Sequence, residues 1–136
     1  LVWIHGGGYT LSWKAQYGSG AGLIAASQAN GKTGATYIAI NCRPGLFGSS
    51  KSYLYQLRYI FQATRAQGFF SGPIFSSQGG TANNGLLDQR LALKWIQAHI
   101  QPFGGDPDRI TVIGESPGGG NTICQITAYS GLKRKV

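Results

Sequence analysis

Ser116 stands at the centre of Gly114-Glu115-Ser116-Pro117-Gly118, a G-x-S-x-G pentapeptide set directly behind the apolar, largely β-branched run Ile110-Thr111-Val112-Ile113. A strand that runs into such a pentapeptide and on into a helix must reverse within a few residues. Glycines flanking the serine allow that turn, and the turn lifts the hydroxyl clear of the backbone. A second strand-like run, Leu1-Val2-Trp3-Ile4, opens straight into His5-Gly6-Gly7-Gly8. A glycine loop behind a strand presents backbone N–H groups to an anion, because no side chain stands in the way. A raised hydroxyl and a pair of accessible amides are what is needed to attack a carbonyl and hold the resulting oxyanion. Either motif alone recurs by chance. Together, each behind a strand, they predict acyl-transfer chemistry.

The remaining pattern predicts an α/β architecture. After the strand at Leu1 to Ile4, the small apolar stretch Ala21 to Gln28 has helical character. Ala35 to Asn41 reads as a strand that ends at the turn signal Arg43-Pro44-Gly45. Leu87, Leu91 and Trp95 recur at i, i+4 and i+8, which predicts an amphipathic helix from about Leu86 to Ile100. Pro102 and Gly104-Gly105 end it, Asp106-Pro107-Asp108 turns, and Arg109 to Ile113 is the next strand. Residues 118 to 128 resume as a helix. Strands that alternate with helices and read apolar on both faces predict a mostly parallel sheet covered by helices on both sides.

At 136 residues there is room for one domain, residues 1–136, with a modest core. The chain starts within a strand and contains no methionine, so it reads as a fragment open at both ends. No run is long and apolar enough to span a bilayer. One segment is atypical. Residues 49–67, SSKSYLYQLRYIFQATRAQ, are rich in tyrosine and arginine and interrupt the pattern as an insertion. A plain reading makes them a surface helix with a Leu54, Leu57, Ile60, Phe61 stripe. The genetic code offers another. Ser50-Lys51-Ser52 is encodable by a run containing the splice-donor sequence GTAAGT and Gln67 by the acceptor CAG, so residues from about 50 to 67 fit an intron translated in frame. A mature transcript that retains these codons would refute that reading.

The net charge of +8 raises the question of nucleic acid. Six of the cations are Lys51, Arg58 and Arg65 in the atypical segment and Lys133, Arg134 and Lys135 at the end, so the remainder carries +2. Such a balance is ordinary, and the terminal cluster reads as solvated surface rather than a nucleic-acid patch. Cys42 and Cys124 form no C-x-x-C, and neither His5 nor His99 has metal-ligand spacing. No metal and no organic cofactor is implied.

Taken together, VWIHGGGY, GTANNGLLDQRLALKWIQ and FGGDPDRITVIGES closely resemble the type B carboxylesterase/lipase family, which also contains the cholinesterases. The resemblance covers most of the chain outside residues 49–67. It implies a partial α/β-hydrolase fold, a small-molecule or lipid ester as substrate, and export from the cell, since family members are commonly secreted. It implies Ser116 as nucleophile, activated by a histidine that a carboxylate orients. Gly7 and Gly8 are implied as oxyanion donors, with His5 and Gly6 supporting that loop. Glu115 is expected to be a partly buried, hydrogen-bonded carboxylate rather than the triad acid, since neighbours on a sharp turn diverge. Asp88, Asp106, Asp108 and Arg109 are expected as capping, turn and ion-pair residues. The usual order in this fold is serine, acid, histidine, which places acid and base downstream of Val136 and predicts that the piece alone is inactive. Pro117 departs from the family pattern, which has alanine there. Proline suits the first turn of a helix but has no N–H, so a third oxyanion donor is absent.

Two rival readings stand beside this one. A non-catalytic, cholinesterase-like adhesion or binding domain would share the fold without the chemistry. Ala26 to Thr33 (ASQANGKT) also fits a relaxed phosphate-loop pattern. A phosphate loop, however, follows a strand and opens a helix, and here helix-like residues come first.

Overall fold

The computed structural model describes residues 1–9, 12–16, 19–43, 69 and 71–128. The atypical segment at about 50–67 and the basic cluster Lys133 to Lys135 lie outside the described residues. The described elements are β1 (Val2–Ile4), α1 (Ala21–Ser27), β2 (Ile38–Ile40), α2 (Pro73–Ser77), α3 (Asn84–His99), β3 (Val112–Gly114) and α4 (Pro117–Thr127), with short 3-10 turns at Ala29–Gly31 and Gln101–Phe103.

The three strands form one parallel sheet in the order β2-β1-β3. Val2 pairs with Ile38 and Val112, and Ile4 with Ile40 and Gly114. This central register buries β1 most deeply: Val2 and Ile4, two residues apart and therefore on one face, are each 1% exposed. Leu93, Ile96 and Ile100 from α3 and its C-cap join them and Ile40 in the core. The element order and the parallel sheet follow the sequence pattern. Boundaries differ. β2 begins at Ile38 rather than Ala35, because Ala35 N–H turns back to Ser27 Oγ at 2.9 Å. α2 was not anticipated; Pro73 at its first position presets the helical φ.

The stripe Leu87, Leu91, Trp95 announces α3 but is not its inward face. Leu91 and Trp95 are 69% and 54% exposed, while Gln89, Leu93 and Ile96 are buried. The buried row is offset by two residues, about 200° around the helix. α3 is apolar on two faces, and the sheet takes the one carrying Leu93 and Ile96. Arg90 is also buried, donating from Nε to Gln125 Oε1 and from its guanidinium NH2 to Gln125 O, both at 2.9 Å. Gln125 Nε2 in turn donates to Leu86 O at 2.7 Å. This network ties α3 to α4, and thereby to the turn that carries Ser116.

Candidate active site

Because β1 and β3 are paired neighbours in parallel, the residues that follow them leave the same edge of the sheet: His5 to Gly8 from one strand, Glu115 to Gly118 from the other. Glu115 N–H extends the pairing one step by donating to Ile4 O at 3.3 Å. The chain then reverses at Ser116, whose φ of 52° and ψ of −122° are a rare combination for a residue with a side chain. Such a conformation costs about 1–3 kcal/mol and persists only where the surroundings enforce it. Here they do. Gly118 N–H donates to Glu115 O at 2.8 Å, and Gly119 and Gly120 N–H both donate to Ser116 O, at 3.0 and 3.2 Å. A side chain at Gly114 would collide with the Gly118 backbone, and one at Gly118 would collide with Ile4 O and lie 2.8 Å from His5 O. The two glycines of the motif are thus required by close approach as well as by the turn. Ser116 occupies the N-cap position of α4, yet its hydroxyl makes no capping bond, and the residue is exposed. Pro117 is buried at the first position of α4, and the elbow forms with proline in place.

The glycine loop is left-handed over three consecutive residues: Gly7 at φ 104°, Gly8 at 62° and Tyr9 at 64°. His5 is buried and its Nδ1 lies 2.9 Å from Gly6 O. His5 Nε2 is buried with no partner among the described residues. Gly6 lies against the side chain of Glu115, and a Cβ there would force that carboxylate aside. Glu115 itself corrects the expectation. It is exposed, and no described residue hydrogen-bonds to its carboxylate, because the elbow turns its side chain outward along the glycine loop. A cleft of about 10 Å³ beside the two turns is lined by His5, Tyr9, Cys42, Phe69, Pro117 and Asn121. Cys42 and Asn121 carry no sequence signal for that place; the sheet order brings them there. Burial, reinforced by Asp88, pushes the Cys42 thiol above its ordinary range despite a hydrogen bond from Gln89. The thiol is therefore protonated near neutrality and is no rival nucleophile.

Neither histidine is bonded to Ser116. His99 is exposed on α3, stacks on Trp95 with ring centroids 4.8 Å apart, and turns Nδ1 toward Trp95 O. The other charged residues take the expected structural parts. Asp88 receives the backbone N–H, Nε and NH2 of Arg43 at 3.1, 2.7 and 2.6 Å. Asp106 receives Asp108 N–H at 2.9 Å and pairs with Arg109 at 2.6 Å. The Ala26 to Thr33 run leaves α1 and leads into β2, the reverse of a phosphate loop. Among the described residues there is no cluster of potential metal ligands, and no helix is long and apolar enough to cross a membrane.

The profile of the Carboxylesterase family matches residues 66–133. The chain belongs to that family. Similar proteins include Carboxylesterase patB of Aspergillus clavatus, 46% identical over 95% of this carboxylesterase-family chain and 20% of the relative. Secreted lipase 1 of Botryotinia fuckeliana is 36% identical over 96% of the chain and 19% of the relative. Among solved structures, Aspergillus niger EstA superposes with a TM-score of 0.67 at 34% identity, over 94% of this chain and 20% of that one. A pNB esterase gives 0.67 at 31%, over 97% and 22%. The chain therefore has part of the α/β-hydrolase fold of esterases, and spans about a fifth of the length of the relatives it matches.

Proposed function

We propose that this family member is a serine hydrolase of carboxylic esters, with Ser116 as nucleophile and the Gly7 and Gly8 amides as oxyanion donors. The observation that carries the reading is the elbow. Ser116 is held at a strained φ of 52°, exposed and not spent on capping, at the sheet edge from which the glycine loop also leaves. In the proposed reaction Ser116 Oγ adds to the ester carbonyl carbon as its proton passes to a histidine base. The oxyanion is held by the loop amides, collapse expels the alcohol, and water hydrolyses the acyl-serine. Among the described residues neither His5 nor His99 is bonded to Ser116, so this reading assigns the acid and base to other residues of the complete protein.

Names of similar proteins, carboxylesterase and lipase, support a small-molecule or lipid ester as substrate. Relatives named as secreted lipases support export of the mature protein. The protein expressed from its complete coding sequence is expected to hydrolyse p-nitrophenyl esters and to be phosphonylated at Ser116 by an organophosphonate. Ser116→Ala should abolish both. Turnover that survives this substitution, or a label found elsewhere, would overturn the assignment. Recovery from the culture medium tests export.

A further inference from the structure

We propose that Tyr9 and Phe69 act as a size filter beside Ser116: their rings stop the cleft between the glycine loop and the elbow, so that the enzyme takes compact esters and turns away long-chain ones. The inference rests on the hydrolase reading above and narrows its substrate class from small-molecule or lipid esters to compact esters.

Tyr9 directly follows the loop glycines and sits at φ 64°. A bulky residue seldom takes this left-handed backbone, since its Cβ crowds the carbonyl, and such outliers cluster where function holds a side chain in place. Here the side chain is held as one of two rings, each seated over a bare glycine. The Tyr9 and Phe69 rings meet edge to face, with centroids 4.7 Å apart and planes at 70°. The Tyr9 hydroxyl lies over α4 at Gly120, where a Cβ would come within 2.8 Å of it. The Phe69 ring lies over α3 at Gly85, where a Cβ would stand 2.9 Å from its Cζ. The pair thus reaches from one helix to the other across the cleft.

Position links the pair to substrate. On the hydrolase reading the ester carbonyl lies between the loop amides and Ser116. Tyr9 is the next residue after Gly8, and Gly120, where its hydroxyl rests, donates its N–H to Ser116 O. The ring therefore runs alongside the reacting group, from the loop to the first turn of α4. The cleft that the two rings line holds about 10 Å³, with His5, Cys42, Pro117 and Asn121 among its other walls. That is roughly the space of one water, and no chain of methylene groups fits there while both rings are in place. A pair packed only for stability would be buried. Tyr9 is 40% exposed, so part of its surface remains open to a substrate.

The test compares ester chain lengths in the complete protein, per active site counted by organophosphonate labelling. Wild type should favour p-nitrophenyl acetate over p-nitrophenyl octanoate in kcat/KM, and ethyl acetate over octyl acetate. Tyr9→Ala, and independently Phe69→Ala, should raise the long-to-short ratio by at least about tenfold in one of the two series, the lower end of what one methylene group is worth in an apolar pocket. Gly120→Ala is a check that leaves both rings in the chain. Its methyl displaces the Tyr9 hydroxyl, the free end of a side chain, so the ratio should shift the same way by a smaller factor. Adding Tyr9→Phe removes that hydroxyl and should return the ratio to the wild-type value. A wild type that favours the long chains, ratios unchanged in both ring variants, or a Gly120→Ala shift that Tyr9→Phe does not reverse would overturn the filter while leaving the serine chemistry intact. A wild type silent toward every ester and toward the organophosphonate would instead overturn the hydrolase reading.

Discussion

Gly118→Ala tests the contact that holds the nucleophile turn. Gly118 lies in the first turn of α4, directly against the end of β1. A methyl group there would overlap Ile4 O and lie 2.8 Å from His5 O and 2.9 Å from Ile4 C. Real Cβ atoms essentially never approach a neighbour within 3.0 Å. These obstacles are backbone atoms of the central strand, whose ends pair on both sides, so α4 must move rather than a side chain. Relief requires a displacement on the order of 1 Å in an interior packed at near-crystal density. Overpacking of this kind costs about 1–3 kcal/mol, and rigid walls place this case near 3. The same shift carries Ser116 away from the glycine loop, and a misplacement of that size costs about 10²-fold in turnover. Urea unfolding monitored by tryptophan fluorescence gives the first quantity and ester hydrolysis per folded molecule the second. Gly22→Ala is the control. It too is helical, in α1, but a Cβ there meets nothing within 4 Å, so it should stabilise by about 0.5–1 kcal/mol. If Gly118→Ala behaved like Gly22→Ala in both assays, the close approach of α4 to β1 would be wrong.

Other outcomes follow from the same geometry. Pro117→Ala should raise kcat of the complete enzyme by about 10²-fold through the added N–H; because Pro117 is buried, it should also cost about 1 kcal/mol of stability, and an unchanged kcat would show that this amide position is unused. Arg90→Leu should destabilise by about 1–3 kcal/mol, since Gln125 loses the partner of its side-chain oxygen and of its carbonyl; an effect within 0.5 kcal/mol of zero (about the scatter of ordinary surface changes) would refute the role of that network. Burial disfavours the charged form of Asp88, but the Arg43 side chain and backbone N–H outweigh it and hold the carboxyl below its ordinary range. A lowered folded pKa contributes stability above the unfolded value, about 3.9, and loses it as pH falls through the folded value. Asp88→Asn should therefore cost about 1 kcal/mol near neutrality and converge with wild type in strong acid, as read from denaturation midpoints across that range; a gap that persists unchanged at low pH would rule out the ion pair as its source.

The sequence by itself determined the alternation of strand and helix, the turn at Ser116 and the loop at Gly6 to Gly8. Each is encoded within a few consecutive residues: β-branched runs for the strands, and glycines where the chain must reverse or take positive φ. Tertiary structure decided which of these local pieces meet. The order β2-β1-β3 and the pairing of Ile4 with Gly114 bring together segments more than a hundred positions apart, and no local pattern specifies that register. It also decided which face of α3 is buried. Leu87, Leu91 and Trp95 form the more regular stripe, yet the sheet packs against Leu93 and Ile96, because burial is settled by where neighbouring elements stand. Glu115 shows the same limit: its type suggested a shielded carboxylate, and the direction of the elbow turned it to solvent. Short-range stereochemistry could be read residue by residue, whereas exposure and contact belong to pairs of elements and emerge only when the sheet assembles.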